Sequence, residues 1–235
     1  MQTLLNKICS MIERRSINRI NWLRTLYFNF RLLPYKEAKQ LPFYIYGKPV
    51  FNSLSGRVIF KCPINRGMVK INEQKIFAPS LQTVNSQINL CGTIVIRGRT
   101  MIGCGNKIVV AHNAVLDLGD CTKITDFCNI DCWTTIVVGA GSTIAHRCQI
   151  MDSNHHFVVN IKQKLIAKNA KPIYIGKHTW ICNSSTLTGG VKVPDYSIVG
   201  SNSLVNKDFS EEGGTCLIAG IPARPIAKGV FRIYD

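Results

Sequence analysis

The chain has 235 residues, enough to bury a core, and sets 29 lysines and arginines against 13 acids for a formal net charge of +16. Such an excess asks for an anionic partner, either a phosphate-bearing cofactor, nucleic acid or a membrane face. No window sets basic residues around aromatics as RNA- and DNA-binding modules do, so nucleic acid is the weakest of the three.

Residues 1–40 carry Lys7, Arg14, Arg15, Arg19, Arg24, Arg31, Lys36 and Lys39 against only Glu13 and Glu37. Leu4, Leu5, Ile8, Met11 and Ile12 fit one helical stripe, and Ile20, Leu23, Tyr27 and Phe30 fit another. Pro34 and Pro42 end the helical reading. The expectation is a basic amphipathic helical cap over 1–45, which either covers the open end of a solenoid or rests on the inner, anionic face of a membrane. The apolar stretch from Ile20 to Phe30 is broken by Arg24 and too short to span, so no signal peptide or spanning helix is read and the protein is expected to stay in the cytoplasm.

From Phe43 to Ile88 the aliphatic spacing is irregular. Beyond it, aliphatic residues recur every six positions, most cleanly at Ile175, Ile181, Leu187, Val193, Val199 and Val205. Six is neither the 3.6 of a helix nor the 2 of a half-buried strand, so the repeat itself is the structural unit. Four residues after each comes a small or β-branched residue: Thr179, Ser185, Val191, Ser197 and Ser203. Short strands meeting at tight corners around a narrow interior need that combination, which makes 46–207 an all-β parallel β-helix. Ile94-Val-Ile-Arg-Gly, Leu116-Asp-Leu-Gly, Ile136-Val-Val-Gly and Ile173-Tyr-Ile-Gly interrupt the sixes and read as starts of new coils. The ten cysteines show no CxxC pair, and Cys128 and Cys148 fall at the small-residue position, so they read as reduced core residues.

The sixes stop between Ile150 and Ile173, where 155–172 reads as a functional loop leaving the solenoid. It begins at Met151-Asp-Ser-Asn-His-His156. A neutral imidazole can take a proton from an alcohol, and a carboxylate or amide beside it can fix its tautomer. His156 and His155 are therefore candidate bases, with Asp152 or Asn154 as the orienting group. His112, His146 and His178 stand singly and read as structural, and no metal is called for. Residues 208–235 form a tail that can cover the last coil.

The sixfold pattern resembles the hexapeptide-repeat acyltransferases, and that resemblance implies a left-handed coil. Asp152-Ser-Asn-His-His156 resembles the Asp-Ser-Asp-x-His segment of bacterial polysaccharide O-acetyltransferases; matched residue by residue, the base is His156, with Asn154 in place of the second acid. Asn129 and Asp131, about one coil earlier, are candidate oxyanion or sugar contacts. Trp180-Ile-Cys-Asn183, Val199-Gly-Ser-Asn-Ser-Leu-Val-Asn-Lys-Asp208 and Ala219-Gly-Ile-Pro-Ala-Arg224 are similar to galactoside and maltose O-acetyltransferases, although Cys182 stands where that family has glycine. Those segments line an acetyl-coenzyme A groove between subunits of a homotrimer, which implies that Asn183, Ser201, Asn206, Lys207 and Arg224 contact the cofactor. Leu26-Tyr-Phe-Asn-Phe-Arg-Leu-Leu-Pro34 looks more loosely like capsule and lipopolysaccharide acetyltransferases. The function so implied is acetyl transfer from acetyl-coenzyme A to a sugar hydroxyl in surface polysaccharide, by direct attack. The alternatives are N-acylation of an amino-sugar nucleotide and a non-catalytic trimeric scaffold docked on a membrane.

Overall fold

A computed structural model describes residues 19–73, 84–162 and 164–233. The expected helical stripe from Leu4 to Ile12 lies outside these residues. Among the described residues, strands form three large sheets of nine, seven and six members, which the chain visits in turn. Phe43–Ile45, Val50–Leu54 and Arg57–Phe60 open the first, second and third faces of a three-sided prism, and Val69–Ile71, Gln87–Leu90 and Thr93–Ile96 lie on them in parallel register. Six strands on the third face correspond to six complete coils.

The period of six has a direct geometric meaning. Ile181 and Val199 are register partners on the first face, Leu187 and Val205 on the second, Ile175 and Val193 on the third. Each step of six advances the chain by one side of the prism, and three steps close a coil. On the first face Ile45, Ile71, Ile102, Ile124, Ile144, Ile181, Val199 and Ile218 stack through consecutive coils, all buried. Such a column removes apolar area from water at every rung, and that burial is the main stabilising term.

The small residues four positions on fill the corners, where they are buried and their polar atoms are bonded. Ser142 Oγ donates to Gly176 O at 2.7 Å and accepts from Thr179 N–H at 3.0 Å, and Ser185 Oγ donates to Gly200 O at 2.8 Å. Cys128 and Cys148 are buried in the same kind of position. The corner between the first and second faces is tight enough to need left-handed backbone: Phe127, Arg147, Ser184 and Asn202, on successive coils, have φ of 60, 60, 59 and 56°. At Gly141 the requirement is double, since φ is 72° and a Cβ would meet the His178 ring at 2.5 Å. His178 itself stacks on Tyr196 at 4.9 Å, one coil on.

One sequence expectation is revised. The segments at Ile94, Leu116, Ile136 and Ile173 are the third side of a coil rather than its start; strands such as Thr135–Val138 carry two inward residues, Ile136 and Val138, which displaces the count. The stretch 43–88 forms the first coils of the solenoid, its sixfold rhythm broken by a bulge between Phe51 and Ser53 and by the long connection from Ile71 to Gln87.

The first edge is closed by the helix Trp22–Leu32, N-capped by Asn21, whose Oδ1 accepts from Arg24 N–H at 3.1 Å. Phe28 meets Phe43 and Phe51 at 5.0 and 5.1 Å, and Phe43 meets Phe60 at 5.9 Å, so one phenylalanine from each face plus one from the helix plugs the prism. The edge strand's backbone is satisfied by helix side chains. Asn29 Nδ2 donates to Phe43 O at 2.9 Å, Asn29 Oδ1 accepts from Phe43 N–H at 3.1 Å, and Thr25 Oγ1 accepts from Ile45 N–H at 3.0 Å. Asn29→Ala strands both Phe43 groups in a buried site and is expected to cost about 2–3 kcal/mol, read as a lower midpoint in urea unfolding. At the other end Cys216–Gly220 joins the first face and turns back as Ala223–Lys228.

The fifth coil is interrupted after Gln149–Met151. Here Val158–Asn160 and Leu165–Ala167 form an antiparallel arm, rooted by Asn154 N–H donating to Asn169 O at 2.8 Å.

Candidate functional site

The second face carries Asp131 on its outer side, register-paired with Met151 one coil on. Four residues after Met151 the chain bends at His155, whose φ of 59° and N–H bond to Ser153 Oγ at 3.0 Å turn the ring back toward the previous coil. His155 Nε2 then lies 2.7 Å from Asp131 Oδ2. The other oxygen, Asp131 Oδ1, accepts from Trp133 Nε1–H at 2.8 Å, and the indole and imidazole meet edge-on with centroids 4.9 Å apart. One carboxylate thus holds two rings. An acceptor-only partner at Nε2 selects the tautomer with the proton on Nε2, which in the neutral ring puts the lone pair on Nδ1.

The acid that meets a histidine is therefore Asp131, not Asp152. Asp152 is fully buried. Its Oδ1 accepts from Trp133 N–H at 2.7 Å, and its Oδ2 accepts from Thr134 N–H at 2.8 Å and Thr134 Oγ1 at 2.9 Å. Asp152 clamps the corner of the coil below, and so fixes the backbone from which Trp133 projects. Asn154 sits at the root of the arm, while His156 is exposed and bonded to neither carboxylate. Asn129 lies on the same face as Asp131, its Oδ1 buried and without a hydrogen bond.

Cys132, between Asp131 and Trp133, faces inward. Burial, reinforced by the Asp152 carboxylate, pushes its thiol up to about 12, and burial pushes Cys182 up to about 11. Neither is a thiolate at neutral pH, so neither is a ready nucleophile. Among the described residues, no three of His, Cys, Asp or Glu gather as a metal site.

The five residues expected at a cofactor groove divide between two edges of the second face. Asn183 and Ser201 occupy the corner entering that face on successive coils, with Ser201 Oγ donating to Asn183 Oδ1 at 2.8 Å, and Arg224 sits opposite Ala219 on the last strand of the first-face sheet, beside this corner. Asn206 and Lys207 follow the last second-face strand, where the Lys207 ammonium lies 4.9 Å from the Phe209 ring centre. Gly200 does not leave an open channel: a Cβ there would meet Ala219 Cβ at 2.8 Å, so its smallness serves the packing of the closing strand.

No family model matches the chain. A Klebsiella pneumoniae protein described as an uncharacterized 24.8 kDa protein in cps region is 28% identical over 197 residues, spanning 77% of this chain and 86% of that protein. The putative colanic acid biosynthesis acetyltransferase WcaF of Escherichia coli K12 is 30% identical over 108 residues, 44% of this chain and 54% of WcaF. Among solved structures, the polySia-specific acetyltransferase NeuO matches with a TM-score of 0.57 at 21% identity, covering 79% of this chain and 72% of NeuO. The chain shares its fold with this acetyltransferase.

In that shared fold the coil is left-handed. Trp133 is the residue of the cluster that sequence reasoning missed. The available signal was its place one coil below Asp152, which becomes visible only once the register of Asp131 with Met151 is known.

Proposed function

We propose that this hexapeptide-repeat acetyltransferase moves an acetyl group from acetyl-coenzyme A to a sugar hydroxyl during assembly of a surface polysaccharide, in the cytoplasm, as a homotrimer. The reading is carried by one observation, the 2.7 Å contact between His155 Nε2 and Asp131 Oδ2 beside an exposed tryptophan. In it, His155 Nδ1 takes the hydroxyl proton as the oxygen attacks the thioester carbonyl, and Asp131 stabilises the imidazolium that forms. The tetrahedral intermediate collapses with cleavage of the carbon–sulfur bond, and the imidazolium returns its proton to the departing sulfur; because the sugar oxygen attacks the thioester directly, no acyl-enzyme intervenes. The residue-by-residue match selects His156, but only His155 has an orienting carboxylate, and for that reason it is preferred.

Acetyl-coenzyme A suits the charge of the chain: Lys207 and Arg224 offer cations to its phosphates, and the Asn183–Ser201 pair offers polar groups to an amide-bearing arm. A trimer is supported by the arm beside His155, whose Phe157, Val158, Val159, Ile161 and Ile166 are exposed, an apolar surface that neighbouring copies can cover. The acceptor class follows the names of the relatives, one tied to colanic acid and one to a cps region.

The test is incubation of purified protein with acetyl-coenzyme A and a panel of pyranosides and amino sugars, read by mass spectrometry. The expected product is an O-acetylated sugar. Acetylation confined to amines would replace this reading with N-acylation, and no thermal stabilisation by coenzyme A would remove the donor.

A further inference from the structure

The helix Trp22–Leu32 is amphipathic in the reverse sense to an ordinary surface helix. Its buried face is half polar, since Thr25 and Asn29 are spent on the backbone of the edge strand beside Phe28 and Leu32. Its outward face is nearly all apolar: Trp22 is 47% exposed, Leu23 83%, Leu26 43%, Tyr27 56% and Phe30 46%, and Tyr35 just beyond is 72%. A helix in water places charge there.

The surroundings indicate what covers it. Across 19–40 five cations stand against the single acid Glu37. Arg24 is turned back to donate to Pro49 O at 2.7 Å, but Arg19, Arg31, Lys36 and Lys39 are exposed around the apolar strip. Aromatic rings and leucines ringed by arginine and lysine match the boundary between lipid headgroups and acyl chains. Spanning is excluded for this segment, because no helix among the described residues is long and apolar enough to cross a membrane. The helix lies across the plugged end of the prism, so its outer face looks away from the coils and away from His155.

We propose that this face seats the protein end-on upon an anionic bilayer surface, with Trp22, Leu23, Leu26, Tyr27 and Phe30 entering the interface and the four cations meeting lipid phosphates. Copies packed side by side with parallel axes present these faces in one plane, so that several weak contacts act together.

The full chain is sedimented with vesicles of phosphatidylcholine alone or mixed with phosphatidylglycerol. Binding is expected to the mixed vesicles, weakened by salt, and to fall roughly tenfold or more in the double variant Leu23→Glu, Tyr27→Glu. Leu23 is 83% exposed and Tyr27 gives up only its stacking on the Phe51 ring at 6.3 Å, so the melting temperature should fall by no more than about 5 °C and acetyl transfer to a soluble sugar should be unchanged. Absent vesicle binding, binding indifferent to lipid charge, or equal binding by the double variant each overturns the proposal. So does a drop in solution mass of the double variant without lipid binding, which would make the face a contact between copies.

Discussion

His155→Ala is expected to lower acetyl transfer by about 10²–10⁴-fold, the range supplied by a positioned general base, while His156→Ala stays within a few-fold of the parent. The distinction is geometric. His155 is held at 2.7 Å by Asp131 and buttressed by Trp133, whereas His156 is exposed and has no such partner. Asp131→Asn should cost less than loss of the ring, because the amide keeps the shape but cannot balance an imidazolium and can hold the wrong tautomer. Thermal stabilisation by coenzyme A should survive all three substitutions, since the residues proposed to meet it lie on later coils. Full activity in His155→Ala with loss in His156→Ala would reverse the assignment.

The second large effect is on stability. Asp152 is fully buried and its carboxylate receives three hydrogen bonds from the corner at Trp133 and Thr134. Asp152→Ala leaves two backbone N–H groups without an acceptor, at a cost of about 2–5 kcal/mol. For a chain of this size that corresponds to a melting temperature lower by roughly 5–15 °C in calorimetry. Asp152→Asn should do less harm, because one oxygen remains and only one N–H faces an opposing donor. An unchanged melting temperature in Asp152→Ala with transfer abolished would return this acid to the chemistry.

What could be read from the sequence follows from which features are local. The ladder from Ile175 to Val205 is legible because period, inward direction and corner residue all repeat within eighteen positions, and every member lies inside. The early coils are not, because the connection from Ile71 to Gln87 breaks the count although the register of the strands around it is regular. The site is harder still. Asp131 and His155 are 24 positions apart, and whether they meet depends on how many residues each corner absorbs. A one-residue difference there would bring a different outer residue opposite the ring. Asp152 misleads for the opposite reason: it is close to the histidines in sequence, but a strand end projects it down onto the preceding coil.

The stacking of coils also fixes an altitude. Adjacent parallel strands lie about 4.8 Å apart, so His155, within the fifth coil, stands on the order of 20 Å from the capped edge. If that edge rests on lipid, the imidazole works at a set height, and a glycan carried on a lipid would be modified at whichever sugar rises to that level. Counting coils then becomes a way of measuring substrate length, with the solenoid as the ruler.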